Sequence, residues 1–448
     1  MNKVLLHKMG LVWVLVLGVM SPLAAETLPV QEIPPLGPGL AQPAPARPAP
    51  VVVPVSDNPP GTPSRAEVAA TAERMGVPPA ALQAGVDGLA LIYSRRYEEA
   101  TTHFSRLSSE YPTEALGPFG TVLLYQSWMM ENFDFAYEEQ WRAASDEGLR
   151  RTEKALRKGK ARAWNEFIKG SLQGIEGIYA IRHGSYPTAL SHALKALRSM
   201  ERSLELDPEF HDAELGVGLY NYWRTVITGR VWYLPDFGDH RAEGMAQVER
   251  ARTQGIFTQP GARLALAYTF YEEKRIDEAK TQCLELRRLY PDNVLNNMML
   301  GRIALRQGKV RDAKRYFADV KRVDPANWLV LYYEGMIAMR EQHWIEARDA
   351  FKLSLEHHGD PTNEGYALLR LGDCYWQLNL DGAARDTWKE SASRDNKTAE
   401  KRLKGEVPKR KGQVQIYVRS QTEPPPPVPE PEEPAPPAEG EEMGEREI

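Results

Sequence analysis

The chain has 448 residues, with 56 Lys and Arg against 61 Asp and Glu and a formal net charge of −5. That length suits two or three ordinary domains or one extended array, and so even a charge balance creates no demand for nucleic acid or an acidic membrane surface. Two cysteines, Cys283 and Cys374, are too few for a disulfide scaffold. Both fall inside expected helices and read as buried, unpaired thiols.

The chain opens with MNKVLLHKMG, carrying Lys3 and Lys8, then the apolar run LVWVLVLGVM, then SPLAAET with small residues Ala24 and Ala25. A basic start, a short apolar core and small residues mark a secretory signal peptide over residues 1–25. The apolar run is shorter than the roughly 20 residues that span a bilayer, leaving a retained anchor as the alternative. No Cys follows the run, which argues against lipid anchoring. The expected location is therefore the periplasm, or another exported envelope site, of a Gram-negative bacterium, with no membrane span after cleavage.

Residues 26–63, dominated by PPLGPGLAQPAPARPAPVVVPVSDNPPGTP, cannot bury a core and read as a semi-extended linker. Residues 396–448 mirror them: a basic stretch, KRLKGEVPKRKGQ, then the alternating VQIYVRS, then the acidic, Pro- and Glu-rich EPPPPVPEPEEPAPPAEGEEMGEREI. The alternating stretch is strand-prone, and the acidic Pro- and Glu-rich end is expected to be disordered. Its basic run could meet phosphate or anionic lipid, but a solvated helix end is the favoured reading.

Residues 64–395 carry the order. Ser64-Arg65-Ala66-Glu67 has the spacing of a capping box and opens a leading helix. Further on, a small residue recurs at Ala267, Gly301, Gly335 and Gly372, and an alanine at Ala279, Ala313, Ala347 and Ala384, both in steps of 34, 34 and 37. Each alanine lies twelve residues after its small partner. Small residues let two helices approach closely, and the large apolar positions Phe317, Phe351 and Trp388 fill the groove beside them. Pro291 and Pro325 end the second helix of a pair, and the Asn and Asp around them suit the turn. No single pair buries its apolar face, so stability comes from stacking neighbours. An N-terminal copy carries Gly88, Ala100, Phe104 and Pro112; a weaker one carries Gly177, Ala189 and Pro208, its second helix about two turns longer than standard. Between these copies AYEEQWRAASDEGLRRTEKALRKGKARAW reads as one unusually long helix.

These residues resemble the tetratricopeptide repeat, a unit of two antiparallel helices with a period of 34 residues. The resemblance covers roughly residues 82–395 and implies an all-α superhelix, or α-solenoid, with disordered Pro-rich ends. It says almost nothing about function.

One stretch breaks the pattern. GLYNYWRTVITGRVWYLPDFGDHRAEG begins as a first helix with Gly216 just ahead at the small position, yet the next small helical position is Gly244. An aromatic insert therefore lies near 225–238, flanked or formed by Trp223, Trp232, Tyr233 and Phe237. It reads as a packing plug where unlike repeats meet, or as a recognition loop on the concave face; the plug is favoured. Asp239 and His240 suggest an acid/base or metal pair, but Asp before a helix is more often its cap.

Nothing else points to catalysis. The chain has no phosphate-binding loop, no HExxH, no Cys-rich metal spacing and no nucleophile elbow. His357 and His358 sit at a helix end and read as a dipole-complementing cap. The basic run from Arg150 to Arg162 spreads around a helix and reads as solvated. No metal or cofactor is expected.

The resemblance also implies that ligand contacts come from the concave face of the first helices. Carried onto this chain, those positions are Tyr268, Tyr271, Arg302, Leu305, Arg306, Tyr332, Met336, Met339, Arg340, Tyr366, Asp373 and Trp376. Arg, Met and aromatic residues are enriched at binding surfaces, and Arg302, Arg306 and Arg340 would form a ridge able to grip carboxylate. The competing reading is that a narrow superhelix simply packs its inner wall. The expected function is a non-enzymatic envelope scaffold that binds a protein partner on the concave face. A glycan-binding accessory factor is the alternative, and an enzyme with an unrecognised site a weaker third.

Overall fold

The computed structural model describes residues 62–228, 238–357 and 361–411. The expectations for the signal peptide, for nearly all of the linker, for Trp232, Tyr233 and Phe237 in the insert, and for the acidic tail lie outside these residues.

The described residues are helical throughout their regular structure. A leading helix, α1 (Arg65–Met75), precedes eight helix–turn–helix pairs. These are α2 (Pro79–Tyr93) with α3 (Tyr97–Glu110), α4 (Leu116–Asn132) with α5 (Glu138–Arg157), α6 (Arg162–Arg182) with α7 (Tyr186–Leu206), and α8 (Glu214–Thr228) with α9 (Arg241–Gln254). Then follow α10 (Gln259–Glu272) with α11 (Ile276–Leu289), α12 (Val294–Arg306) with α13 (Val310–Val323), α14 (Trp328–Arg340) with α15 (Trp344–Glu356), and α16 (Pro361–Gln377) with α17 (Asp381–Ala392). A short α18 (Lys397–Leu403) closes the series.

Local chemistry sets many of the boundaries. Ser64 and Glu67 form the reciprocal capping box that opens α1. Prolines stand in the first turn of α2, α7 and α10, where the missing N–H costs nothing. The turn inside each regular pair places one residue in the left-handed region: Arg95, Lys274, Gly308, Gln342 and Asn379.

In four of the pairs the packing rests on a ring pressed against a glycine. A Cβ built on Gly301 would lie 2.2 Å from the Phe317 ring, one on Gly335 2.8 Å from Phe351, and one on Gly372 2.4 Å from Trp388. Gly88 and Phe104 repeat the arrangement at 2.4 Å, and Phe104 is pinned from the other side by Gly120 of the next pair. In each case the ring lies sixteen residues beyond the glycine. The pair α10/α11 has Ala267 at the small position, and its partner sixteen residues on is the small, fully buried Cys283. The methyl on Ala267 takes the place where a ring would reach the facing backbone, and the second helix carries the smaller Cys283 there. Cys283 and Cys374 are both buried and unpaired.

Three sequence expectations need correction. The single long helix over 136–164 is two helices, because Gly159 and Ala161 both take left-handed conformations and reverse the chain between α5 and α6. In the pair that carries the insert, Gly218, not Gly216, meets Gly244: a Cβ on Gly244 would lie 2.5 Å from the Gly218 carbonyl oxygen, whereas Gly216 faces Met200. The packed body also runs past residue 395, through α18 to Lys411, so the basic run is ordered against the last pair. The weak copy does have the long second helix expected of it, α7.

The array also closes on itself. Asn293 and Asn327 cap α12 and α14, each accepting a backbone N–H with its side-chain oxygen. Their amide nitrogens point back to the first two pairs: Asn293 Nδ2 donates to the Tyr93 carbonyl (3.1 Å) and Asn327 Nδ2 to the Glu131 carbonyl (3.2 Å). Trp328 Nε1 donates to the Asn132 carbonyl at 2.8 Å. Arg95 pairs with Glu131 (3.0 Å), donates to the Val323 carbonyl (2.8 Å) and lies 3.7 Å from Asp324. Tyr97 donates its hydroxyl to Glu131 at 2.8 Å. Met130 and Phe133 then enter the core of the later pairs.

Two predictions follow from these contacts. Gly335→Leu must displace the Phe351 ring, and overpacking of this kind costs about 1–3 kcal/mol; a denaturant melt showing no loss would refute the ring-on-glycine account. Glu131 is held at about 7 because burial disfavours its charge, which Arg95 and the Tyr97 hydroxyl only partly offset. Its ordinary value is lower, so the folded state holds the proton more tightly. Its contribution to stability is present in full below the usual carboxylate range and lost as pH rises through about 7. Glu131→Gln should therefore flatten the fall in melting temperature between pH 5 and pH 8, as read by circular dichroism.

Candidate functional site

The inner wall is built from the first helices, and its later half holds the residues named from the sequence. Tyr268, Tyr271, Arg302, Tyr332, Met339 and Asp373 are buried there, at 2–5% exposure. Leu305, Arg306, Met336, Arg340, Tyr366 and Trp376 are half-buried. The structure brings Tyr271, Arg302 and Arg306 together: the two guanidinium groups lie 5.0 and 4.7 Å from the Tyr271 ring centre. Tyr332 packs on Tyr333 and Phe351. Asp373 accepts from Arg402 at 3.0 Å, and burial raises its carboxyl despite Arg402 and Arg370 nearby. Much of this wall is thus internal packing.

Trp223 belongs to α8 and is 2% exposed, with its ring 5.0 Å from Tyr222 and 6.2 Å from Tyr268. This end of the aromatic stretch is core. Asp239 accepts the backbone N–H of Arg241 at 3.0 Å and pairs with the Arg241 side chain, while His240 contacts Glu243 at 3.0 Å. Both are contacts at the start of a helix. His357 occupies the C-terminal end of α15, and His358 lies outside the described residues.

The earlier half of the wall encloses a hollow that the sequence reading missed. First helices from five successive pairs converge on it: Leu89 and Ile92 of α2, Phe119 and Leu123 of α4, Phe167 and Ile175 of α6, Leu215 of α8 and Gly261 of α10. Its volume is about 70 Å³. Gly174, Gly216 and Gly261, on three consecutive first helices, keep it open where side chains would fill it. Half-buried Tyr93, Ser127 and Ser171 add hydroxyls to an otherwise apolar lining.

Asp212 borders this hollow without being a reactive group. Its carboxylate accepts from the backbone N–H groups of Ile256 (2.9 Å), Phe257 (2.7 Å) and Thr258 (2.7 Å), and from the Thr258 hydroxyl (2.9 Å). Burial raises its carboxyl, and these four donors oppose the rise. It fixes the turn that leads into α10 and seats Phe257.

A second, polar cleft of about 300 Å³ lies between α5, α6 and α7. Ser145 donates to Glu176 at 2.9 Å, and Glu176 lies 3.0 Å from His192 Nδ1. The order is hydroxyl, carboxylate, imidazole. A nucleophilic serine needs the imidazole beside it to take its proton, so this trio is not arranged for that chemistry. Among the described residues no group of three or more His, Cys, Asp or Glu is placed to hold a metal ion. No described helix is long and apolar enough to cross a membrane.

Two tetratricopeptide repeat families match the chain, one over residues 262–293 and the other over 298–364. No curated protein matches it. The crystal structure of the APC/C hetero-tetramer Cut9–Hcn1 is similar at 16% identity and a TM-score of 0.40, over 71% of this chain and 61% of that one. Yeast Tom70 is similar at 11% identity and a TM-score of 0.30, over 71% of this chain and 87% of the Tom70 chain. This chain therefore spans less than two thirds of the Cut9–Hcn1 chain it matches.

Trp223→Ala should destabilise the array by about 3–5 kcal/mol, the usual cost of removing a buried aromatic ring. Chemical denaturation checks this, and a change within about 0.5 kcal/mol, typical of exposed sites, would contradict the core placement.

Proposed function

We propose that this tetratricopeptide-repeat protein is an exported, non-enzymatic scaffold of the bacterial envelope that holds a segment of another protein on its inner wall. The observation that carries the reading is the apolar hollow, which faces inward and is lined by successive first helices. An apolar hollow with a few hydroxyls suits a side chain anchored in a pocket, the usual centre of a protein–protein contact. It offers little to a polyhydroxylated glycan, which needs many hydrogen-bond partners, so the protein reading stands ahead of the glycan one. The polar cleft beside Ser145 and Glu176 is where a glycan would find such partners. Export rests on the sequence alone, on the basic, apolar and small-residue order of residues 1–25.

Ser171→Phe tests the site. Ser171 is half-buried at the hollow, and a ring placed there would occupy the space without breaking any hydrogen bond the serine makes to the described residues. The variant should keep the wild-type helical content, with any loss of stability held to the about 1–3 kcal/mol of overpacking, and should lose, at least tenfold, a partner captured by the wild-type chain from envelope extract. Equal capture by both forms would remove the hollow from the binding surface. Fractionation of cells carrying the tagged full chain tests export, and a wholly cytoplasmic signal would refute it.

A further inference from the structure

The chain does not leave the array after α18. Residues 406–411 turn back, without helix, across the last pair. Trp376 Nε1 donates to the Pro408 carbonyl and Gln377 Nε2 to the Lys409 carbonyl, both at 2.8 Å. Gln377 Oε1 accepts the Lys411 backbone N–H at 2.6 Å. One glutamine amide thus reads both a carbonyl and an N–H of the passing main chain. Arg410 lies 4.0 Å from the Trp376 ring centre, donates to the Trp376 carbonyl at 3.2 Å and pairs with Asp381. Val407 packs on the small cluster of Leu369, Ala384, Trp388 and Ala399.

Two properties of this contact matter. Three of its hydrogen bonds go to main-chain atoms of the strap, so they do not depend on which side chains the strap carries. The side-chain selectivity comes from Arg410, held by an aromatic face and a carboxylate, and from the small apolar Val407–Pro408 step. Lys409, Arg410 and Lys411 are nonetheless exposed, and exposed ion pairs contribute little to a fixed fold. The strap is tethered by α18, which gives it an effective concentration on the order of millimolar.

We propose that the groove formed by Trp376, Gln377 and Asp381 is a docking site for a basic, non-helical protein segment with arginine two residues after proline, and that residues 406–411 occupy it as a displaceable pseudo-ligand. A partner segment of this chemistry competes with the strap. The site stands apart from the hollow and does not depend on the reading given to it.

The test uses the full chain. Arg410→Glu sets a carboxylate against Asp381 and removes the cation from Trp376, releasing the strap. The probe is a fluorescein-labelled peptide of residues 404–411, Lys-Gly-Glu-Val-Pro-Lys-Arg-Lys, followed by polarisation. The Arg410→Glu chain should bind it at least tenfold more tightly than the wild type, and adding Trp376→Ala, or replacing the probe's arginine by alanine, should abolish the gain. Hydrogen exchange on the wild type gives a readout independent of any variant. The Lys411 amide should exchange at least a hundredfold faster than the core amides of α17 if the strap opens by itself. A folded Arg410→Glu chain that binds the probe no better than wild type would overturn the proposal. So would a Lys411 amide as protected as α17, because the strap would then be a fixed cap.

Discussion

Four of the five regular pairs depend on an aromatic ring reaching a position where the facing helix has no side chain. Phe317 on Gly301, Phe351 on Gly335, Trp388 on Gly372 and Phe104 on Gly88 are one solution used four times. The ring gains burial and dispersion contacts only because the backbone opposite can come close. In α10/α11 the small position is Ala267, and the residue facing it is the small Cys283 rather than a ring. Everything else, including the spacing of the first helices along the inner wall, is built on this contact.

That contact was legible in the sequence because both partners lie within one repeat and recur at a fixed step. The closure between the first two pairs and α12 and α14 was not. Asn293 and Asn327 were read as turn residues, and they do cap helices, but nothing local shows that their amide nitrogens reach Tyr93 and Glu131 some 200 residues away. The hollow was missed for the same reason: its walls come from five pairs, each contributing only a few ordinary residues, and the glycines among them stand on three separate helices. The helix over 136–164 was over-read because Gly159 looks tolerable inside a charged, helix-prone run, while its left-handed conformation ends α5.

The inner wall divides into stretches of different character. Its middle, around Tyr268, Tyr271, Arg302 and Tyr332, is consumed by packing, so the aromatic and arginine enrichment that suggested a binding surface there also serves the core. The hollow among α2, α4, α6, α8 and α10 is mostly apolar and partly open. The groove at Trp376 is open, polar and already filled by the chain's own residues. Of the positions the repeat register picked out, Trp376 holds the main chain of a non-helical segment, at the Pro408 carbonyl.

An open solenoid is close to a one-dimensional system, in which each repeat answers only to its neighbours and the ends fray first. The bonds from Arg95 to Val323 and from Trp328 to Asn132 join residues 228 and 196 positions apart. They raise the contact order and tie the early pairs to late ones, so the region between behaves as a loop closed at both ends. Loop closure of this length is slow to achieve and, once made, hard to undo in parts. Such ties favour an array that unfolds as one unit, as a globular domain does, rather than fraying repeat by repeat from its ends.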